Sequence, residues 1–318
     1  MRVDVVSLGL ACADVMVKPV TTLPEKGTLG LVPTLELHLG GLAGATATVL
    51  SKLGAHVAFL GMVGQDGFGD FIENTLNAAG VDTRFTRRST QASTPATVVL
   101  IDDAGERTFL HHPGTAAYFS DADVDTSVFE EAAWVHWGGP GVTPGLDGEP
   151  IGRILKSAGD HGCTTSLDTC YDGEGKWFER IEAALPHTNY VMSNIEEARA
   201  YTGCESQEDS AAFFLDHGAS GVVVKRGDQG LYASDGAHEI NIPAHQVDVV
   251  DTTGAGDAAC AGFIYALLND WPFDDAVRLA NAVGGLTVQR MGGAEAVSSL
   301  EEALALMNSA AAVGGNQT

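Results

Sequence analysis

The chain is short of basic residues. Seventeen Lys and Arg stand against 42 Asp and Glu in 318 residues, a formal net charge of −25. A surface of that sign repels nucleic acid and anionic lipid, so neither is expected as a partner, and its plain consequence is solubility. A nucleotide bound to such a protein must have its charge met locally, by Mg2+, helix N-termini and a few placed cations. Cysteine is sparse: Cys12, Cys163, Cys170, Cys204 and Cys260 form an odd set with no C-x-x-C spacing. That argues for reduced thiols and a cytoplasmic setting. Apolar runs stay well short of the about 18 residues a membrane span needs, so no membrane partner is expected. The pattern G-x-x-x-x-G-K-S/T is missing, which leaves a Walker-type kinase unsupported. Repeats and low-complexity linkers are also absent. His111 and His112, adjacent on an expected strand, point to opposite faces and make a poor metal pair.

What is present suits one large α/β domain. Apolar residues make up 45%, and 39 glycines allow many tight turns. The opening segment is apolar but interrupted by Asp4, and reads as a buried first strand rather than a signal peptide. One domain is expected over 1–308, with an Ala/Gly-rich tail at 309–318 that frays. Strand patterns fall at 3–10 and 57–63, and helices at 40–52 and 70–79. Segments 13–20 and 29–39 alternate as β ribbons, and 97–101 with 107–111 flank a turn as a hairpin. Beyond residue 120, strands at 134–137, 164–168, 190–192 and 221–225 alternate with helices at 148–161, 179–185, 195–201 and 207–217. This rhythm predicts a parallel sheet covered on both faces, a three-layer α/β/α sandwich. The early ribbons, about 13–39 and 94–113, do not fit it. They predict a small antiparallel β lid.

The densest chemistry lies at Asp251-Thr252-Thr253-Gly254-Ala255-Gly256-Asp257, followed by a small apolar run with helical period. Residues 245–250 before it have strand character. A two-glycine turn opening a helix leaves backbone N–H groups unpaired, a cradle for an anion. Aspartate in that cradle would repel phosphate unless it takes a proton from an attacking hydroxyl while the N–H groups hold the developing charge. Asp is also common in first helical turns, so the motif alone decides nothing.

Other positions are open in the same way. Gly40-Gly41, at a strand-to-helix junction, permits close backbone approach to a ligand or makes a plain turn. Asp14 follows the first strand, where open sheets bind ligands, and suits sugar hydroxyls or solvent. Asn194 either caps the following helix or faces a nucleotide, and Glu197 either completes that cap or sits near Mg2+. Lys225-Arg226-Gly227-Asp228-Gln229-Gly230 is an ordinary hairpin or a nucleotide ledge. His112, Trp137, Asp168 and Trp177 are further pocket candidates.

Taken in order, Asp14, Gly40-Gly41, Gly64-x-Asp66-x-Phe68-Gly69, Asn194-x-x-Glu197, Gly227-x-x-Gly230 and the 251–257 segment resemble the ribokinase-like (PfkB) family of carbohydrate kinases over nearly the whole chain. The resemblance implies an ATP-dependent kinase for a sugar or nucleoside, using Mg2+, and a homodimer through the lid. A non-catalytic sensor on the same fold is the alternative. The resemblance makes Asp257 the base and Gly254, Ala255 and Gly256 the anion hole. Asp14, Gly40 and Gly41 contact the sugar. Asn194, Lys225, Gly227, Gly230 and Asn281 line the nucleotide site, and Glu197 acts on Mg2+ through water. Asp251 and Thr253 match positions that hold a monovalent cation such as K+, with carbonyls near Thr287, Arg290 and Gly292. Two departures stand out. Ala45 replaces the family's sugar-binding Asn, and Ala296 stands where some members have Ser. A dinucleotide oxidoreductase fits less well: Asp257 would face a pyrophosphate, and Asp274-Asp275 open a helix instead of ending a strand.

Overall fold

The computed structural model describes residues 3–314. In chain order the strands are β1 (Val5–Gly9), β2 (Cys12–Lys18), β3 (Thr34–Gly40), β4 (Val57–Leu60), β5 (Met62–Gly64), β6 (Arg87–Ser89), β7 (Ala96–Ile101), β8 (Arg107–His112), β9 (Trp134–Gly138), β10 (Thr164–Asp168), β11 (Tyr190–Asn194), β12 (Gly221–Lys225), β13 (Leu231–Ser234) and β14 (Glu239–Ile242). The helices are α1 (Leu42–Leu53), α2 (Gly67–Ala78), α3 (Glu149–Asp160), α4 (Ile195–Thr202), α5 (Gln207–Asp216), α6 (Ala255–Leu268), α7 (Phe273–Thr287) and α8 (Leu300–Gly314).

The main sheet runs β4-β1-β9-β10-β11-β12-β13-β14. It is parallel from β4 to β12 and turns antiparallel at β13 and β14. Strand periodicity divides its side chains between two cores. Val5, Trp134 and Val223 face α1, α6 and α7. Val6, Val135, Val222 and Val224 face α3, α4 and α5. Helices on both faces of a mostly parallel sheet make the expected three layers. The small residues after Asp257 also find their reason: a Cβ on Gly262 would lie 3.0 Å from Val283 and 3.1 Å from Ala280, so α6 and α7 pack almost backbone to backbone.

A second sheet, β3-β2-β7-β8, stands apart from the first. It is built from the segments expected as a lid, but it is mixed: β2 and β7 pair in parallel between two antiparallel pairs. Asp66 ties its base to the body. Its carboxylate caps α2 at the Gly69 N–H (2.9 Å) and accepts from the Thr94 N–H (2.8 Å) and hydroxyl (2.6 Å).

Four expectations need correction. Residues 245–250 form no strand. Pro243, just past β14, cannot continue a ladder, and the chain leaves the sheet. The single strand at 57–63 splits at Gly61, whose missing side chain clears the Gly9 carbonyl (a Cβ would be 2.7 Å away); β5 then pairs with β6 instead. The helix at 179–185 is replaced by 3-10 turns at Trp177–Arg180 and Leu185–His187. There Arg180 is drawn inward to Asp172 (2.7 Å), and Pro186 interrupts helical bonding. Finally, α8 continues through 309–314, where a frayed tail was expected; 315–318 lie outside the described residues. Among the described residues, no helix is long and apolar enough to cross a membrane.

Candidate active site

Two cavities meet at Asp257. The larger, about 800 Å³, lies at the carboxyl ends of β10, β11 and β12. Asp168, Asn194, Glu197, Lys225, Gly227, Gly230, Gly256 and Asn281 line it, together with the irregular segment after Pro243. The smaller, about 50 Å³, is roofed by Met16, His38 and Val99 of the second sheet. Asp14, Gly40, Gly41, Ala45, Asp251, Thr253 and Gly254 also line it. Asp257 belongs to both walls.

Local sequence explains these placements. Gly254 adopts φ 70° and ends the loop, and α6 begins at Ala255 with Asp257 in its first turn. First-turn N–H groups have no intrahelical acceptor, so this end presents donors to the cavity junction. Gly40 is required by its neighbour: a Cβ there would lie 2.1 Å from Asp14 Oδ2. Gly41 takes φ 87°, and a Cβ would meet the Leu10 carbonyl oxygen at 2.6 Å. The Asn194 carboxamide oxygen accepts the Glu197 N–H at 2.7 Å, so Asn194 caps α4 while lining the larger cavity. Likewise the Gly227–Gly230 turn is both the β12–β13 hairpin and a cavity wall. Asn281 Nδ2 donates to the Pro243 carbonyl (3.0 Å) and holds the irregular segment in place.

The electrostatics centre on one cation. Lys225 Nζ donates to both Asp168 oxygens, at 2.6 and 2.8 Å. Burial works against the Lys225 charge, but Asp168 more than offsets it and the pKa is raised. A Cβ on Gly256 would lie 3.2 Å from Nζ, so the ammonium sits against the glycine loop. Burial, reinforced by the charge of Asp168 and opposed by Lys225, pushes the Asp257 carboxyl up to about 8. Burial and Asp168 push Glu197 up to about 7, although the Thr169 hydroxyl donates to it at 2.7 Å. Burial also raises Asp14, whose Oδ1 accepts from the Cys12 thiol at 3.2 Å. His38 is held protonated, raised to about 9, by Glu295 and by Glu36 at 3.1 Å.

Asp251 is buried before the glycine loop. Its Oδ1 accepts the Thr253 N–H at 2.9 Å and pairs with Arg107 of β8 at 2.8 Å, while Oδ2 is buried without a partner.

The structure thus gathers the sequence candidates around the two cavities. Of the four further ones, Asp168 lines the larger cavity. Trp137 is buried in the second core, Trp177 packs edge-on against Tyr171 and Tyr201, and His112 is exposed beside Ser93. Sequence reasoning missed Arg107, His38 and Thr169. Nothing in their spacing links them to residues so distant in the chain.

Comparison with known proteins identifies the family. The family model described as pfkB family carbohydrate kinase matches residues 3–300. A 2-dehydro-3-deoxygluconokinase of Bacillus subtilis is 28% identical over 315 residues, covering 95% of this chain and 94% of that one. An Arabidopsis thaliana ribokinase solved with ribose and ATP superposes with a TM-score of 0.84 at 24% identity, covering 96% and 99% of the two chains. An E. coli protein assigned as ribokinase II, solved with ATP and Mg2+, also gives 0.84, at 22% identity, covering 96% and 99%. With the family model spanning almost all of it, the chain belongs to the pfkB family of carbohydrate kinases and is an enzyme of that class.

Proposed function

We propose that the protein transfers the γ-phosphate of ATP, in line, to a hydroxyl of a neutral sugar or sugar-like compound, with Asp257 as the base. The observation that carries this reading is the place of Asp257, in the shared wall of a large cleft and a small pocket, in the first turn of α6. Phosphoryl transfer asks a protein for alignment and charge stabilisation more than for covalent chemistry. Asp257 takes the proton of the acceptor hydroxyl, and the first-turn N–H groups and Lys225 face the transferring oxygens. Asn194, Gly227, Gly230 and Asn281 line the nucleotide's course. Asp14 accepts from acceptor hydroxyls over Gly40 and Gly41, and the second sheet excludes water.

Among the described residues, no group of three His, Cys, Asp or Glu side chains is placed to hold a metal. Glu197, on the wall of the larger cavity, is the carboxylate that would hold Mg2+ through water. The chemistry such an ion would supply is charge neutralisation at the phosphates. Asp251 Oδ2, buried without a partner in the pocket that Thr253 also lines, supports a site for a monovalent cation such as K+.

A neutral acceptor is favoured because the ionisable groups of the small pocket are Asp14, Asp251, Asp257 and His38, and the His38 charge already faces Glu36 and Glu295. The methyl of Ala45 adds no polar contact. A coupled ADP-release screen with Mg2+ tests this. Neutral pentoses or hexoses are expected to turn over at least about tenfold faster than sugar acids or sugar phosphates, the discrimination expected of one unfavourable charge contact. Preference for an anionic sugar overturns the neutral reading, and no acceptor-dependent ADP release overturns the transfer itself.

Two further proposals rest on the surface and the thiols. Leu35 on edge strand β3 and Phe109 and Leu110 on edge strand β8 are 66%, 57% and 60% exposed, which supports a homodimer through this sheet. Sedimentation velocity is expected to show a dimer that the paired change Leu35→Lys with Leu110→Lys dissociates; a monomeric parent protein removes the proposal. All five cysteines are free, which supports a reducing, cytoplasmic setting.

A further inference from the structure

Arg107 reaches from β8 of the second sheet to the loop that opens α6, a separation of 146 residues between Arg107 and Thr253. Its guanidinium makes three contacts there. It lies 2.8 Å from Asp251 Oδ1, 2.7 Å from Thr253 Oγ1 and 3.2 Å from Thr252 Oγ1. Among the described residues, it is the ion-pair partner of Asp251, which is 4% exposed. The same Asp251 oxygen accepts the Thr253 N–H, so a single carboxylate both shapes the loop from inside and receives the charge from the lid. Gly254 and Ala255 follow directly, and Asp257 lies two residues beyond Ala255 in the first turn of α6.

We propose that Arg107 is a positioning residue that couples seating of the lid to alignment of the anion loop. The proposal rests on the phosphotransferase reading and adds a residue to it. A buried carboxylate stripped of its counter-charge is costly. When the second sheet lifts, Asp251 loses the guanidinium and the 251–254 backbone loses two hydroxyl tethers. When the sheet seats over an acceptor, the fork of N–H donors re-forms all three contacts, which a flexible point charge does poorly. The N–H groups that receive the phosphoryl group are thus held in line only while the acceptor pocket is closed, which disfavours transfer to water.

The test compares the intact enzyme with R107A and R107K at fixed K+ and Mg2+, using an acceptor that the parent protein phosphorylates. For R107A, kcat is expected to fall by about 30-fold or more, the ordinary consequence of removing one member of a buried charge pair. The KM for ATP stays within about threefold, because the larger cavity keeps its lining. Guanidinium chloride restores R107A turnover above an equal concentration of NaCl, and R107K lies between the two proteins. A residue that only holds the fold would lose ATP binding and thermal stability together and would show no guanidinium rescue; that pattern overturns the proposal, as does an R107A enzyme within about twofold of the parent. Amide hydrogen exchange over residues 251–256, measured without ligands, reads the contact independently of turnover. It is expected to speed up in R107A, and unchanged exchange overturns the proposal. Were no acceptor phosphorylated by the parent protein, the transfer reading would fail while this measurement still decided the latch.

Discussion

Replacing Asp257 with Asn is expected to lower kcat by about 10²–10⁴-fold, the usual cost of a lost general base, while ATP still binds. The substitution keeps the shape and removes the proton acceptor, and the first-turn N–H groups of α6 remain. Turnover at the parent rate would take Asp257 out of the chemistry. The pH dependence sharpens the test. The base must be ionised, and burial together with Asp168 raises it to about 8. The parent kcat/KM is therefore expected to climb with pH and level off above that value, an acid limb far above the ordinary carboxylate range. The same shift has a thermodynamic sign. A folded pKa above the unfolded value of 3.8 means that stability is fully present below that value and is lost as pH rises through the folded pKa of about 8. The Asn variant escapes that loss. It is expected to melt higher than the parent protein at pH 9, with the gap narrowing toward pH 5.

Lys225→Met is expected to lower kcat by about 10²–10³-fold, comparable with removing a donor from an oxyanion site. The ammonium lies between Asp168 and the glycine loop, where an arriving phosphoryl group would draw it away from its carboxylate partner. The single variant will also be less stable, because Asp168 is left buried and unpaired. A second change separates the two effects. Asp168→Asn combined with Lys225→Met removes both charges and is expected to recover most of the melting temperature but none of the turnover. Recovery of turnover along with stability would make the pair purely structural. Asp168→Asn alone removes the like charge beside Asp257 and frees Lys225 toward it. Both changes lower the Asp257 pKa, so the acid limb moves to lower pH.

Much of this architecture is legible in the sequence because strand-helix alternation beyond residue 120 has few solutions. Glycine pairs and a carboxylate at a helix start carry chemical meaning before any coordinates are known. What was not legible is long-range. Residues 245–250 have strand composition, but Pro243 and an already complete sheet edge turn them into a cavity wall. The antiparallel expectation for the lid came from its hairpins, whereas the parallel β2–β7 pair joins segments about 80 residues apart, beyond local pattern. Arg107 looks like the ordinary end of a charged turn, and its partners appear only once the two sheets face each other. Asp168 is one more residue at a strand end until β12 brings Lys225 beside it.

The smaller cavity is roofed by strands of the second sheet, whereas β2, β3, β7 and β8 contribute nothing to the lining of the larger one. Inhibitors aimed at the two ends should therefore differ in residence time. A compound mimicking the nucleotide dissociates at the pace of its own contacts. With the second sheet acting as the proposed lid, one mimicking the sugar is expected to leave at the rate of a protein motion, and even modest equilibrium affinity there would translate into long occupancy.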